Sequence, residues 1–191
     1  MALSYENPNL LYRLIDELGN NRLFSFIYTS YIKKLNFKGN EKVLDFGSGS
    51  GAGSRHLAKV LQNGGHLTCV DISKYWTNKA KKRLRNFNHV EFLVGQLPEM
   101  ELKTNSFDII YIFYTLHDVS PDLRNGIVRE FYKILKEGGK IYIKEPKRQY
   151  DGMPVAEIVD LMVDHSFVEE YSLEKKGTYT AVYRKDVAAN T

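Results

Sequence analysis

The chain has 191 residues, 43% of them hydrophobic and 26% charged, with a formal net charge of +4. That length and balance suit one globular domain with a sizeable core and exclude a disordered or disulfide-framed chain. The single cysteine, Cys69, can form no internal disulfide, no apolar run reaches bilayer-spanning length, and the N-terminus lacks a signal-peptide pattern, so a cytoplasmic location is expected.

The opening forty residues read as helix. Leu10, Leu11, Leu14, Ile15 and Leu18 recur at helical spacing before Gly19, and Leu23, Phe24, Ile27, Tyr28, Tyr31, Ile32 and Leu35 repeat the pattern before Gly39. Residues 1–40 are therefore expected to form a helical lid. Strands and helices then alternate over 41–185, the pattern of an α/β fold with a parallel sheet covered on both faces. Strands are predicted near 41–46, 66–71, 89–94, 107–114, 138–145, 166–174 and 178–184, and helices near 52–63, 74–86, 122–136 and 154–165. Ser120 and Pro121 should cap the 122–136 helix, whose apolar face is Leu123, Ile127, Phe131, Ile134 and Leu135, and Gly138-Gly139 should end it. Lys175-Lys176-Gly177 predicts an antiparallel hairpin from the last two strands. Residues 186–191 have little to bury and should fray, which leaves 1–191 as a single domain with a 41–185 core.

The chemistry is concentrated where the first strand, Val43-Leu44-Asp45-Phe46, empties into Gly47-Ser48-Gly49-Ser50-Gly51, and where the second strand ends at Asp71. A strand, a glycine turn, a helix and a second strand closed by an acid make a nucleoside-binding arrangement. Gly47-x-Gly49-x-x-Ala52 formally allows a dinucleotide, whose pyrophosphate would sit on the N-terminus of the helix starting near Ala52. Asp45, at the mouth of the strand, argues against it, because a fixed carboxylate repels linked phosphates. The same carboxylate suits a ligand carrying an ammonium and a sulfonium, which points to S-adenosylmethionine.

VLDFGSGSGAG resembles the nucleotide-binding turn of class I S-adenosylmethionine-dependent methyltransferases, and the later motifs follow in order. CVDIS (Cys69 to Ser73) is similar to the family's acid after the second strand. The run from Phe92 to Val119 resembles the third-strand end and fourth strand of the small-molecule group, which includes quinone-biosynthesis C-methyltransferases, and Glu130 to Pro146 resembles its next helix and fifth strand. The likeness covers roughly residues 40 to 185. It implies a Rossmann-like, mostly parallel seven-stranded sheet of order 3-2-1-4-5-7-6 with an antiparallel last strand. Two departures stand out: Gly95-Gln96 replaces the usual Gly-Asp, whose acid accepts from the adenine amino group, and Ser166-Phe167 replaces a usual Gly-Phe.

The resemblance implies that Gly47, Ser48, Gly49 and Gly51 floor the methionine part of the cofactor, across the carboxyl ends of the first and fourth strands. Asp45 would bind the ammonium, Asp71 the ribose hydroxyls, Ile72 the adenine face, Gln96 and Leu97 the adenine edge, and Phe113 the sulfonium side. Methyl transfer is an in-line displacement that rests mainly on alignment. Where the acceptor starts protonated, His117 and Asp118 beyond the fourth strand are the candidate base pair. Tyr28, Tyr31 and Tyr114 are candidate pocket walls or core aromatics, with at least one of them expected in the core. The absence of an Asn- or Asp-Pro-Pro-aromatic motif at Phe113-Tyr114-Thr115-Leu116 argues against amide or adenine-amino acceptors, so a small apolar or aromatic acceptor is expected. No metal site is expected, since the five histidines lack ligand spacing. The basic run Lys74, Lys79, Lys81, Lys82, Arg83 and Arg85 reads as a solvated helix face or a phosphate-tracking patch, which keeps an RNA methyltransferase as an alternative. A non-catalytic S-adenosylmethionine-binding module is the other alternative, and a nicotinamide dehydrogenase the outside one.

Overall fold

Alternating apolar strands and helices produce the expected architecture in a computed structural model that describes residues 22–147 and 152–186, with side chains from Ser25 onward. Seven strands form one sheet of order β3-β2-β1-β4-β5-β7-β6. They are β1 (Lys42–Phe46), β2 (His66–Asp71), β3 (Val90–Val94), β4 (Phe107–Phe113), β5 (Leu135–Pro146), β6 (Phe167–Lys175) and β7 (Thr178–Lys185). The helices are α1 (Arg22–Lys34), α2 (Ser54–Val60), α3 (Lys74–Arg83), α4 (Pro121–Ile134) and α5 (Val155–Asp164). The helix expected over Leu10 to Leu18, and all but the first residue of the 186–191 tail, lie outside the described residues. None of the described helices is long and apolar enough to cross a membrane.

The chain divides after Gln96 into two compact units. In the first, β1 pairs in parallel with β2, and β2 with β3. Val43, Leu44, Leu67, Cys69 and Val70 are all but fully buried, as expected for parallel strands covered on both faces. Leu57 and Ala58 of α2, and Ala80 and Leu84 on α3 and its cap, complete that core. Ser73 caps α3, its hydroxyl accepting from the Trp76 N–H at 3.3 Å.

In the second unit β4 pairs in parallel with β5, while β7 runs antiparallel to both β5 and β6. The predicted hairpin is present, its turn formed by Lys176 and Gly177, the latter at φ 93°. Two local expectations are corrected. Ser120 stands at the N-cap of α4, but its hydroxyl bonds the Asp122 carboxylate rather than the helix backbone. The glycine pair does not end α4, because the helix stops at Ile134 and Leu135 already pairs with Phe107. Gly138, at φ 70°, instead lets the strand bulge before it rejoins β4 at Lys140 opposite Ile109. Leu123 is 44% exposed, and Val128 takes its place on the buried face of α4.

Candidate functional site

The glycine turn is built on β1 and held by β2. The Gly47 and Ser48 N–H groups both donate to the Val70 carbonyl, at 2.9 and 3.0 Å, and the Gly51 N–H donates to Ser48 at 2.9 Å. The Gly49 N–H donates to Asp71 Oδ2 at 2.8 Å, and the Ser73 N–H to Asp71 Oδ1 at 2.8 Å. These turn donors are thus spent inside the protein. A pyrophosphate needs such N–H groups free, as in a dinucleotide site. The helix after the turn also starts later than expected, at Ser54 rather than near Ala52, and has 7 residues.

Gly51 serves the fold. Its φ is 80°, and an added Cβ would lie 2.6 Å from Leu84 Cδ1, so a glycine here lets α3 close on the turn. Arg83 secures the same corner, donating to the Ser50 carbonyl at 2.5 Å and its hydroxyl at 2.6 Å.

Asp45 is 4% exposed because it continues a strand buried on both sides, and Ser54 Oγ donates to its Oδ2 at 2.6 Å. Burial pushes its carboxyl up to about 7; the Ser54 bond opposes this, and the Asp71 charge adds to it. Asp71 is also raised by burial, against the two backbone bonds that lower it. A buried acid with a raised proton affinity is a site that a cation would relieve. The residues present therefore fit a ligand with a positive amino-acid tail. Ile72, 47% exposed, offers an apolar face at the end of β2, and Gln96 is exposed two residues beyond the end of β3. Leu97 is 1% exposed in a 3-10 turn, Leu97–Glu99, so only its main chain is left to meet a ligand.

One feature of this unit was not anticipated. His56 on α2 contacts Ser25 Oγ through Nε2 and Thr29 Oγ1 through Nδ1, each at 3.1 Å, which fastens α1 beside the glycine turn. Burial lowers its proton affinity, and Lys59 and Arg55 lower it further. Tyr28 stacks on His56 at 6.1 Å, and its ring sits where a Gly53 side chain would be, with 3.2 Å to the added Cβ. Tyr31 is a core residue at 7% exposure.

In the second unit, Phe113 ends β4 stacked on Tyr111 and against Tyr114, with Lys144 Nζ 5.2 Å from its ring. Tyr114 has φ 55° and is 38% exposed. The following turn is organised by Glu145, which is fully buried at the end of β5. Its Oε1 accepts the Thr115 and Leu116 N–H groups at 3.0 and 2.9 Å, and its Oε2 accepts the His117 N–H at 3.4 Å. The same Oε2 lies 2.6 Å from His117 Nδ1, while His117 Nε2 is 3.2 Å from Asp118 Oδ1. Burial lowers the proton affinity of His117, but the Glu145 bond and the charges of Glu145 and Asp118 outweigh it, so the net shift is upward. Arg124 ties the turn to α4, donating to the His117 and Val119 carbonyls at 3.0 and 2.9 Å, and pairs with Glu157 at 2.5 Å.

Glu145 was legible in principle. Ile141, Ile143 and Glu145 share one face of β5, and both isoleucines are fully buried, so an acid at that parity is out of keeping with its neighbours. Among the described residues, no group of three or more His, Cys, Asp or Glu side chains is placed to hold a metal ion. Burial raises the Cys69 thiol well above its ordinary range.

Residues 44–143 match a family model described as Methyltransferase domain. Among curated proteins, the chain is 26% identical over 174 residues to phosphoethanolamine N-methyltransferase 1 of Arabidopsis thaliana, covering 82% of this chain and 35% of that protein. It is 32% identical over 151 residues to the ubiquinone/menaquinone biosynthesis C-methyltransferase UbiE of Rickettsia prowazekii, covering 74% and 58%. The chain thus spans less than two thirds of the length of either relative. In fold it is similar to a SAM-dependent methyltransferase from Aquifex aeolicus, with TM-score 0.76, 19% identity and coverage of 91% and 97%. The N-methyltransferase NodS from Bradyrhizobium japonicum, solved with S-adenosyl-L-homocysteine, matches with TM-score 0.64, 15% identity and coverage of 76% and 78%.

Proposed function

The chain belongs to the class I S-adenosylmethionine-dependent methyltransferases, and from that premise we propose that it moves a methyl group to a small apolar or aromatic acceptor by in-line displacement. The observation that carries this reading is the glycine turn, whose N–H groups at 47, 48, 49 and 51 are already spent while a nearly buried acid lies just behind them. S-adenosylmethionine, when bound, supplies an activated methyl group on a sulfonium, whose departure leaves a neutral thioether. In the first unit Asp45 balances the ammonium, Asp71 offers its remaining lone pairs to the ribose, Ile72 backs the adenine and Gln96 accepts from its edge. The carboxamide of Gln96 does this without charge, a weaker partner than the family's usual acid. In the second unit Phe113 and Tyr114 give an aromatic wall, and His117 takes the proton that a hydroxyl, enol or acidic C–H acceptor releases as it gains the methyl group.

A small-molecule acceptor is supported by the relatives, whose names place them in ubiquinone and menaquinone biosynthesis and on phosphoethanolamine; the apolar or aromatic choice follows the first, since phosphoethanolamine is charged. Of the six cations on and after α3, Arg83 is engaged with Ser50 and Lys79 lies over Tyr75 and Trp76, which weakens the case for RNA. A cytoplasmic location belongs to the same reading. The test is transfer of labelled methyl to a small-metabolite extract and, separately, to transfer RNA. Label in an organic-soluble product is expected. Label only in the RNA overturns the acceptor class, and binding of S-adenosylhomocysteine with no transfer to either pool favours a non-catalytic module.

A further inference from the structure

Glu145 does more than fill the end of a strand. A fully buried carboxylate must be met by donors, and this one is met by four: three consecutive backbone N–H groups and an imidazole nitrogen, all from the 115–117 turn. Such a turn is otherwise hard to hold, because Tyr114 enters it in a left-handed conformation that a side chain disfavours. The Tyr114 N–H donates to the Lys144 carbonyl at 2.8 Å, so β5 grips the turn from two adjacent residues.

Resting on the role proposed for His117, we propose that Glu145 is its positioning residue. It fixes the 115–117 turn and holds the ring with Nδ1–H toward Oε2, so that Nε2 is the atom presented for proton transfer. A carboxylate can only accept, so a neutral ring 2.6 Å away carries its proton on Nδ1. Three charged groups act on the ring, and a fourth acts on one of them. Glu145 faces the ring from β5 and Asp118 from its own turn; Arg124 reaches that turn from α4, and Glu157 on α5 partly neutralises Arg124. Asp118 is one third exposed and accepts from Nε2 when the ring is protonated, so it is an exchangeable partner where Glu145 is a fixed one.

The test is ¹⁵N and ¹H NMR of the full chain labelled at histidine, with the His117 signal assigned by its loss in His117→Gln. In the wild type the neutral ring is expected to be protonated at Nδ1; a neutral ring protonated at Nε2 overturns the proposal without any change at Glu145. In Glu145→Gln, an amide oxygen in the place of Oε1 can still accept the Thr115 and Leu116 N–H groups, while an NH2 group replaces the Oε2 that faces His117. The His117 titration midpoint is expected to fall, because the neighbouring charge is gone. Isothermal titration with S-adenosylhomocysteine checks that the cofactor half is intact. An unmoved His117 midpoint in Glu145→Gln, with that binding retained, refutes the assignment. Full turnover in His117→Ala sinks the base reading instead, and leaves the NMR result standing on its own.

Discussion

Asp45→Asn separates the needs of the empty protein from those of the loaded one. The substitution keeps size and an acceptor for Ser54 Oγ, but removes an acid whose proton affinity burial has raised from 3.8 to about 7. The folded state therefore binds a proton that the unfolded state has lost between those values, and stability falls as pH rises across that window. About three units at roughly 1.4 kcal/mol each give a penalty of about 4 kcal/mol, present in full above pH 7 and absent below pH 4. Urea unfolding of both proteins from pH 4 to 8.5 reads the difference. The asparagine protein should match the wild type at the acid end, gain on it through pH 5 and 6, and lead by a constant margin above 7. Its affinity for S-adenosylhomocysteine should fall by about tenfold or more, since one charge-assisted contact to the ammonium is lost. Wild-type affinity should itself weaken as the pH drops below 7 and Asp45 takes up its proton. A stability difference that does not vary with pH refutes the reasoning, because the penalty would then not come from ionisation.

Asp71→Ala should weaken S-adenosylhomocysteine binding by at least about tenfold in calorimetry, from two charge-assisted bonds at about 1.5–3 kcal/mol each, and unchanged affinity removes Asp71 from the site. His117→Ala should leave that affinity alone and cut turnover of the identified acceptor by about 10²–10⁴-fold, measured as labelled-methyl transfer. Ser166 stands at φ 60°, a left-handed conformation that suits glycine, so Ser166→Gly should stabilise the chain by about 1 kcal/mol in thermal unfolding. An unchanged or lower midpoint there means the left-handed turn is not strained.

The fold was legible because its signals are local. Val43-Leu44 and Leu67 to Val70 read as buried strands from their own apolarity, and Asp71 marks the end of the second. What failed to read depends on distant partners. Gly138-Gly139 looks like a helix stop, but Leu135 is claimed by Phe107 across the sheet, and Lys136 by Asp108 at 2.5 Å, so the strand begins first and the glycine serves the bulge. The site divides the same way. The glycine turn and Asp71 are contiguous motifs, whereas Glu145 meets its turn from 28 to 30 residues away and His56 meets Ser25 and Thr29 across 27 to 31.

Two of the buried carboxylates, Asp45 and Glu145, show how one residue class is turned to opposite ends. Both terminate or nearly terminate a central strand, and both are all but closed to solvent. Glu145 is surrounded by N–H donors, so its charge is spent within the protein and goes into shaping a turn and a ring. Asp45, among the described residues, takes one hydrogen bond, from a hydroxyl, and its burial is left uncompensated. A fold that only needed packing at position 45 would do better with an uncharged side chain. The unmet cost at Asp45 makes sense once a cation arrives to offset it, and the same accounting predicts which carboxylate responds to the cofactor. The infrared or NMR signal of Asp45 should shift toward the ionised form when S-adenosylhomocysteine binds at pH 6.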